Sequence, residues 1–522
     1  MSIVLFLSVM IIFALGYRVY GRFAEKIVSV RKQNQTPAFY KQDNTDFIPA
    51  KNRSILFGHH FASIAGAGPI VGPVVAYMWW GWLGALLWIV LGCIFFGAVH
   101  DFFSLIISVR EGGISIGKVA EKYISSRAGK LLLIFLWCAL VIVIAVFASL
   151  CARSFVSQPE VILPSLGLIP VAVLVGFLLY VRKMKTFLAT MLGLSALTVL
   201  VICSKKFAFS LPVSDPYFVW MCLLFVYAFF ASVLPVNILL QPRDYLSSFL
   251  LFFGVAVSVI AFLTRPLPLS GAEVFTFFSQ DRLPLFPLMF ITVACGAISG
   301  FHSLVSSGTS SKQLARETDA RPIGYGAMIT EGVLAVIALF AVAFGLRSIP
   351  QGKTPVEIFA QGFGNVVYFL GDYGRGIALV MLNAFILTTL DTATRITRFL
   401  TQEFFGLSNK WLSTGLVVSA AAFLGLKDKW QALWPLFGAS NQLVAALALI
   451  VISAWLIKNK KNYKIALIPA LVMLLITFSA LIFNAINFYA RGKIMLSLIS
   501  ALLLVMSGIV LTELRHLKRA GE

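Results

Sequence analysis

Residues 58–73, GHHFASIAGAGPIVGP, combine four glycines, two prolines and two adjacent histidines within an otherwise apolar segment. A glycine in a helix interior costs about 1 kcal/mol relative to alanine, and an internal proline costs about 3 kcal/mol. The segment is therefore predicted to be a broken helix rather than a continuous one. We expect the backbone to unwind between about Ala65 and Pro73 and to expose its polar groups there.

The composition of the chain assigns it to the membrane. Of its 522 residues, 59% are hydrophobic and only 12% are charged, and the mean hydropathy of +0.92 excludes a soluble globular protein. Apolar windows of about 18 or more residues recur without alternation, which favours spanning helices over a barrel. The sequence thus predicts an all-α polytopic membrane protein with about fifteen transmembrane helices. The predicted spans are 2–17, 56–78, 81–108, 131–150, 167–182, 186–203, 217–239, 246–264, 286–306, 325–346, 375–394, 411–425, 431–457, 465–488 and 494–512.

The positive charge is distributed unevenly between the two sides of the membrane. The net charge of +21 would also suit a nucleic-acid-binding protein. When the loops are assigned alternately to the two sides, however, about 30 of the 42 Lys and Arg residues fall on one side. This bias argues against a nucleic-acid partner and predicts a multi-pass membrane protein with its amino terminus outside and its carboxyl terminus in the cytoplasm. We interpret the first span as a retained helix, because its positive charge follows it.

A second interruption is predicted in the seventh span, which ends ASVLPVNILLQPRDY. Pro235 lies within that span and Pro242 lies just beyond it. The two interrupted spans have opposite predicted orientations and begin five spans apart, a pattern typical of five-plus-five inverted-repeat transporters with a site at mid-membrane. The alternative is that the glycines only pack closely and the prolines only kink their helices. The predicted substrate-binding residues are His59, His60, Gly66, Gly68, Pro69, Gly72, Pro235, Asn237 and Gln241.

Several long motifs resemble one known family. They are FGHHFASIAGAGPIVGPVVA (57–76), AVHDFFSLIISVREGGISIG (98–117), SVLPVNILLQPRDYLSSF (232–249), SGFHSLVSSGTSSKQLARETDARPIGYGAM (299–328) and LDTATRITRF (390–399). Together they resemble the carbon starvation protein A (CstA) family over roughly residues 1–512. This resemblance implies a bacterial inner-membrane carrier tied to peptide use during carbon starvation, with some members importing pyruvate with protons. It also implies a LeuT-type fold of the amino acid–polyamine–organocation superfamily.

The resemblance and the two interruptions together predict the domain organisation. Residues 1–55 are expected to form one transmembrane helix and a cytoplasmic interfacial loop. Residues 56–395 are expected to form a ten-helix core, and residues 396–522 are expected to form accessory helices and a basic tail. Within the core, the inverted repeats are expected at about 56–203 and 217–395. The chain is shorter than the longest family members, which leaves its substrate preference open.

Three acidic residues lie within predicted spans, where a charge is costly and therefore a functional candidate. Asp101 is the preferred proton carrier, because a buried carboxyl group takes up a proton more readily than an exposed one. His100 next to it would extend a proton relay, although adjacent helical side chains diverge by about 100°. The structural alternative for Asp101 is an ion pair with Arg110.

The other two acids also have structural alternatives. Asp391 stands four residues before Arg395, a spacing that allows a salt bridge within one helix. Glu331 lies in the tenth span and is either a proton site or the partner of a basic loop. All three acids and His100 are predicted to take part in proton coupling.

The remaining polar candidates are histidines and serines. His59 and His60 have three open interpretations: hydrogen bonds that tie the broken helix together, proton relay near the substrate, or ligation of a metal or haem with help from His100 or His302. Span nine carries hydroxyl groups at Ser303, Ser306 and Ser307. These are predicted to contribute to a sodium site, because LeuT-type carriers often hold a cation between the first and eighth helices of the core. Serines can equally satisfy their own helix backbone.

The sequence contains no GxxxxGK[ST], GxSxG or HExxH motif, so neither ATP-driven transport nor catalysis is indicated. We predict a secondary transporter that imports a small carboxylate such as pyruvate, or short peptides, together with protons. The substrate carboxylate would meet N–H groups freed around Gly66, Gly68 and Gly72. The alternative is a membrane redox protein that uses its histidines to bind haem.

The predicted partners are the substrate, the coupling proton and the lipid bilayer, and no cofactor is predicted. The sequence does not distinguish pyruvate from peptides or protons from sodium. It leaves the oligomeric state open.

Overall fold

A computed structural model describes residues 2–204, 206–265, 274–426 and 430–513. Within these ranges the regular elements are helices, apart from one isolated bridge between Phe278 and Pro284. The α-helices are α1 (Ser2–Leu15), α2 (Gly21–Val28), α3 (Pro37–Tyr40), α4 (Arg53–Ile64), α5 (Gly68–Trp80), α6 (Trp82–Gly92), α7 (Ala98–Arg110), α8 (Ile116–Tyr123), α9 (Ser126–Ser157), α10 (Ile162–Gly176), α11 (Thr186–Ser204), α12 (Pro216–Val233), α13 (Leu240–Thr264), α14 (Leu285–Thr292), α15 (Ala294–Ala297), α16 (Gly300–Gly308), α17 (Gly326–Gly345), α18 (Pro355–Val366), α19 (Tyr373–Phe405), α20 (Lys410–Gly425), α21 (Trp430–Lys458), α22 (Lys464–Ala490) and α23 (Ile494–Glu513). Single π-helical turns at Gly16–Tyr20, Cys93–Gly97, Phe177–Val181 and Arg321–Tyr325 continue neighbouring helices, and 3₁₀ turns occupy Pro159–Val161, Ser310–Lys312, Glu317–Asp319 and Tyr368–Leu370.

The predicted all-helical, multi-spanning architecture is confirmed for these residues. Eleven helices are long and apolar enough to cross a membrane, and the bent pair α4–α5 raises the number to twelve if it is one span. The predicted count of about fifteen also includes the shorter helices α20 and α23 and the ninth span, which is divided among α14, α15 and α16. That count stays a prediction. The predicted basic tail beyond residue 513 lies outside the described residues.

The first predicted break is present, and it is shorter than expected. α4 ends at Ile64 and α5 begins at Gly68, with a bend of 41° between their axes. Gly72 and Pro73 lie inside α5, so the predicted unwound stretch from Ala65 to Pro73 is wrong in its second half. Pro69 occupies the first turn of α5, where its missing N–H is not needed for helical hydrogen bonding.

The predicted break within span seven is wrong. α12 ends at Val233 and α13 begins at Leu240, so Pro235 and Asn237 belong to a connection between two helices. Leu234, which precedes the proline, is extended with φ −68° and ψ 150°. A residue before proline disfavours the helical conformation, so this proline ends a helix instead of interrupting one.

The actual second break lies in span nine. α15 and α16 are separated by Ile298 and Ser299, which both have extended backbone conformations. This break lies against the first one. A Cβ atom at Gly68 would lie 2.4 Å from Cys295 Cβ and Sγ, and a Cβ atom at Gly72 would lie 2.4 Å from the Thr292 carbonyl oxygen. These two glycines therefore allow a backbone approach that a side chain would prevent.

Long helices surround the two breaks. α9 has 32 residues and α19 has 33, and the two pack along each other. α13 packs along α4, and α21 packs against α16, so a later helix borders each broken span. In the most apolar window of α21, 94% of the residues are buried, compared with 17% in the window of the first span. The first span consequently lies at the periphery of the bundle.

Candidate functional site

A small closed cavity lies where the two breaks meet. Gly66 and Gly68 line it from the first break, Cys295 and Ser299 line it from the second, and Thr389 lines it from α19. Aromatic side chains of α9 and α21 complete the wall, namely Phe147 and Phe437. Its volume of about 10 Å³ is about the space that one water molecule needs. The structure therefore represents a conformation in which this cavity is too small for an organic substrate.

Two helix N-termini meet at this cavity. α5 begins at Gly68 and α16 begins at Gly300, next to the wall residue Ser299. Helix N-termini carry unsatisfied N–H groups and a partial positive charge, which favour a bound anion. At α16, Asn441 already accepts a hydrogen bond from the Phe301 N–H at 2.9 Å. At the start of α5, Pro69 has no N–H, and the Ile70 and Val71 N–H groups both donate to the Ala67 carbonyl. The Gly68 N–H is therefore the candidate donor that α5 offers to the cavity.

Threonine side chains of α19 bind the carbonyl groups at the end of α4, on the other side of the first break. Thr388 Oγ1 donates to the Ala62 carbonyl at 2.7 Å, and Thr389 Oγ1 donates to the Ser63 carbonyl at 3.4 Å. The Ser63 and Thr392 hydroxyl groups also lie within hydrogen-bond distance, at 3.1 Å. The two threonine bonds satisfy backbone carbonyl groups that the interruption of α4 leaves without helical donors.

Only some of the predicted substrate residues reach the cavity. Gly66, Gly68 and Pro69 line it, whereas Gly72 forms the close contact with Thr292. Pro235, Asn237 and Gln241 are not among its lining residues. Gln241 instead donates to Gln313 Oε1 at 2.6 Å and accepts a hydrogen bond from Tyr180.

The paired histidines of α4 point to different partners. His59 Nδ1 lies 2.6 Å from Asp244 Oδ2, and His60 Nδ1 lies 2.7 Å from Ser310 Oγ. Both side chains are fully buried. These bonds join α4 to Asp244 of α13 and to Ser310. They do not reach α5, so they do not tie the two halves of the broken helix together as the first interpretation expects.

A second polar group, here called the acid–histidine cluster, consists of His100 and Asp101 on α7, His302 on α16 and Glu331 on α17. All four residues are fully buried. Asp101 Oδ1 lies 2.8 Å from His100 Nδ1, and Asp101 Oδ2 lies 2.9 Å from His302 Nδ1. Glu331 Oε2 lies 3.3 Å from His302 Nε2. His302 thus lies between two carboxyl groups from different helices, and among the described residues its hydrogen bond is to Asp101 and not to Glu331.

These contacts correct two expectations about Asp101. The side chains of Asp101 and His100 do touch, although they are adjacent on one helix. Arg110 is not the partner of Asp101, because its Nε donates to Glu317 Oε1 at 2.7 Å. The alternative of a structural ion pair between Asp101 and Arg110 is therefore wrong.

The acid–histidine cluster has an unusual charge balance. Among the described residues, only histidines lie within salt-bridge distance of Asp101 and Glu331. Two ionised carboxylates around a neutral imidazole would be strongly unfavourable in a dry interior. The cluster is therefore expected to carry at least one proton beyond those of two neutral imidazole rings. Such a cluster can gain or lose a proton while its histidines and carboxyl groups keep the same neighbours.

A third group, here called the arginine cluster, joins four helices near the first break. Arg243 donates from Nη2 to Asp244 Oδ1 at 2.6 Å and from Nη1 to Asp391. Tyr227 donates to Asp391 Oδ2 at 2.6 Å, and His59 contacts the second oxygen of Asp244. All of these charged groups are buried. The cluster fastens α4, α12, α13 and α19 together.

The structural alternative for Asp391, a salt bridge with Arg395, is wrong. Asp391 pairs with Arg243, whereas Arg395 Nη1 donates to Asp46 Oδ1 at 2.6 Å. Arg398 Nη2 also donates to Asp46, at 2.8 Å to Oδ2. Although burial alone would raise the pKa of Asp46, Arg398 and Arg395 hold that pKa below its ordinary value. A lowered pKa keeps the Asp46 carboxylate ionised above pH 5, so these pairs are stable throughout the physiological range.

The arginine cluster supports a stability prediction. We expect Arg243→Gln to destabilise the protein by about 3–5 kcal/mol, because it leaves Asp391 and Asp244 buried without their cation. Arg243→Lys, which keeps the charge, should lose less. Thermal unfolding of the detergent-purified variants measures the effect, and Arg53→Gln at the exposed start of α4 is the control. An Arg243→Gln variant that melts with the wild type would show that the cluster contributes no stability.

The serines of span nine mainly bind their own helix. Ser303 Oγ donates to the Gly300 carbonyl at 2.8 Å, and Ser307 Oγ donates to the Ser303 carbonyl at 2.7 Å. Ser306 Oγ is buried without a hydrogen-bond partner among the described residues. The sodium site predicted at these three serines stays a prediction.

The histidines do not converge on a common ligand position. No group of three or more His, Cys, Asp or Glu side chains in the described part of the chain has an arrangement able to hold a metal ion. His59 instead contacts Asp244 and His60 contacts Ser310, whereas His100 and His302 both contact Asp101.

Comparison with known proteins identifies the family. A family model described as "Carbon starvation protein CstA" matches residues 1–349 and 343–480. The chain belongs to the carbon starvation protein CstA family. The resemblance of its motifs to that family is thereby confirmed.

Curated relatives in the CstA family are named as transporters. The chain is 33% identical to "Peptide transporter CstA" of Escherichia coli over 90% of this chain and 79% of that protein. It is 32% identical to the Campylobacter jejuni protein of the same name, over 91% and 79%. It is also 31% identical to "Pyruvate/proton symporter BtsT" of Escherichia coli, over 90% and 80%. These relatives are named as transporters and not as enzymes.

Among solved structures, one similar chain is a mutant of the Eremococcus coleocola manganese transporter. It is 14% identical, with coverage of 91% of this chain and 99% of that one. The TM-score of 0.48 is too low to establish a shared fold.

Proposed function

We propose that this CstA-family chain is a proton-coupled secondary transporter that imports short peptides or pyruvate across the inner membrane. The names of its relatives support both substrate classes and the use of protons. The amino terminus would lie outside and the carboxyl terminus in the cytoplasm, as the positive-inside bias suggests. The redox alternative has no support from the named relatives, which are transporters.

The observation that carries this proposal is the contact between two broken spans at a closed cavity. Irregular backbone is tolerated at membrane depth only against protein or a cavity, and it is a common substrate site in carriers. Both peptides and pyruvate carry a carboxylate, which would bind the Gly68 N–H at the start of α5 and be stabilised by the partial positive charge of that helix end. The cavity must widen for this to happen, because its present volume is about 10 Å³.

The helix α16 would connect substrate and proton binding. Ser299 and Phe301 at its start line the cavity, and the next residue, His302, belongs to the acid–histidine cluster. Protonation changes the charge that His302 shares with Asp101 and Glu331, and so changes the forces on α16. We infer that the cluster takes up a proton when substrate binds and releases it on the cytoplasmic side.

The order of helices supports a revised pair of inverted repeats in a LeuT-type core. Each repeat would contain a broken span, a straight span, a short helix, a long helix and two further spans. The first would run over residues 53–264, from α4–α5 to α13, with the hairpin α10–α11 inserted. The second would run over residues 285–458, from α14–α16 to α21. In this arrangement α19, and not span nine, takes the eighth position of the core.

Uptake into proteoliposomes tests the proposed function. The purified chain is reconstituted and given labelled pyruvate or labelled alanyl-alanine under an inward proton gradient, an inward sodium gradient or no gradient. We expect accumulation of at least one substrate, driven by the proton gradient alone. Accumulation driven only by sodium, or no transport of either substrate, would overturn the proposal.

A further inference from the structure

A second, larger cavity lies beside the two broken spans. It has a volume of about 390 Å³ and is lined by α5, α14 and α22. Val71, Val75 and Trp79 form its wall on α5, and Ile291 and Thr292 form its wall on α14. Its volume falls within the range of about 300–1,000 Å³ that is usual for small-molecule sites.

This cavity is separated from the closed cavity by a thin layer of residues. Gly68 and Cys295 line the closed cavity, whereas Val71 and Thr292, one helical turn or less away, line the larger one. Between them lies the contact of Gly72 with the Thr292 carbonyl. A modest separation of α5 and α14 would therefore connect the two cavities.

The larger cavity carries charges of both signs. Arg491 and Lys493, at the end of α22 and just after it, line it together with Asp281. None of the three forms an ion pair with another described residue. Asn484 also lines the cavity, and it is buried with its amide nitrogen lacking a hydrogen-bond partner in the described part of the chain. A buried donor without a partner is costly and indicates a place for an acceptor.

We propose that the larger cavity is a capture site for short zwitterionic peptides on their way to the closed cavity. The peptide carboxylate would bind Arg491, Lys493 and Asn484, and its ammonium group would bind Asp281. The apolar wall, including Trp79, would contact the peptide side chains. Pyruvate is smaller and has no ammonium group, so the site favours peptides over pyruvate. This inference rests on the proposed transport function and specifies its substrate class.

Binding and transport measurements together test the capture site. Binding of alanyl-alanine to the detergent-purified protein is measured as a change in tryptophan fluorescence. The Trp79→Phe variant should lack this change, which assigns the signal to the larger cavity. We expect Asp281→Asn and the double variant Arg491→Gln/Lys493→Gln each to weaken dipeptide binding about tenfold, the loss that one charged contact typically causes. Lys464→Gln, at the opposite end of α22, is the matched control and should bind as the wild type does.

The N-acetylated dipeptide separates the two charges. It lacks the ammonium group, so its binding should be weak in the wild type and unchanged by Asp281→Asn. In uptake assays, Asp281→Asn should raise the KM for alanyl-alanine about tenfold and should not raise the KM for pyruvate. Equal binding of free and acetylated dipeptide, or charge variants that bind as the wild type does, would overturn the proposal. The fluorescence titration decides this even if uptake fails, so failure of the capture site is distinguishable from failure of the transport function.

Discussion

Asp101→Asn is expected to abolish concentrative uptake while substrate exchange continues. Asparagine keeps the size of the side chain and its contacts with His100 and His302, but it cannot take up a proton. An inward gradient of one pH unit can drive about tenfold accumulation by one proton, and the variant should lose that factor. Counterflow exchange needs no net proton movement, so it should persist. Both quantities are measured with labelled substrate in proteoliposomes.

The control for Asp101 is an acid at the protein surface. Glu121→Gln on α8 removes a carboxylate that pairs with Lys118 at the partly exposed surface, and it should accumulate substrate normally. Glu331→Gln should resemble Asp101→Asn, because both carboxyl groups contact His302. If Asp101→Asn still concentrates substrate under an acid-outside gradient, Asp101 is a structural residue and the proton site lies elsewhere.

Gly68→Leu is expected to abolish uptake almost completely with little change in the amount of protein in the membrane. Even a Cβ atom at this position would lie 2.4 Å from Cys295, so the larger side chain must push the two broken spans apart. Overpacking of this kind costs about 1–3 kcal/mol, which is enough to distort a site but seldom enough to unfold a large bundle. Labelled uptake and membrane protein yield are measured in parallel.

Further variants test whether the loss of uptake in Gly68→Leu is due to the contact between Gly68 and Cys295. Gly508→Leu on α23 is the control, because a Cβ atom there would meet nothing within 4 Å. Gly68→Ala should be impaired, and adding Cys295→Gly should restore part of its uptake by removing the atoms it meets. Normal transport by Gly68→Leu would mean that the contact between the breaks has no role in transport.

The first break was predictable because its sequence breaks the rules of helix formation locally. Glycines and prolines between Gly66 and Pro73 make a continuous helix unfavourable whatever surrounds it. Only the length of the break was overestimated, since Pro69 and Pro73 proved compatible with α5. Proline in a first turn is favourable for a helix, and a sequence alone does not say where that turn begins.

The second break was missed because it contains no proline and is flanked only by the isolated glycines Gly296 and Gly300, and single glycines are common at packing contacts in membrane helices. Ile298 and Ser299 adopt extended conformations without any proline nearby, whereas Pro235 and Pro242 mark the ends of helices. Tertiary contacts stabilise the open backbone of span nine: Asn441 donates to the Ser299 hydroxyl and accepts a hydrogen bond from the Phe301 N–H. The intrinsic helix propensity of a segment contains no information about residues that contact it from distant parts of the chain.

The partners of the buried acids also could not be predicted from the sequence. The sequence correctly drew attention to Asp101, Glu331 and Asp391 as buried acids, because charge is rare inside membrane spans. It did not predict that Asp391 would pair with Arg243, which is 148 residues away in the chain. Spacing identifies neighbours on one helix, but only the packing of helices decides which residues face each other. Arg243 and Asp244 were overlooked for this reason, although the motif QPRDY places both at the start of α13.

Substrate-driven proton movement is the most direct test of the proposed coupling. Proteoliposomes that contain a pH-sensitive dye are prepared without any imposed gradient, and unlabelled alanyl-alanine or pyruvate is added outside. We predict that the interior becomes more acidic as substrate enters, and that Asp101→Asn liposomes show no such acidification although they exchange labelled substrate when preloaded with it. Substrate entry at the wild-type rate with no change of internal pH would contradict the account.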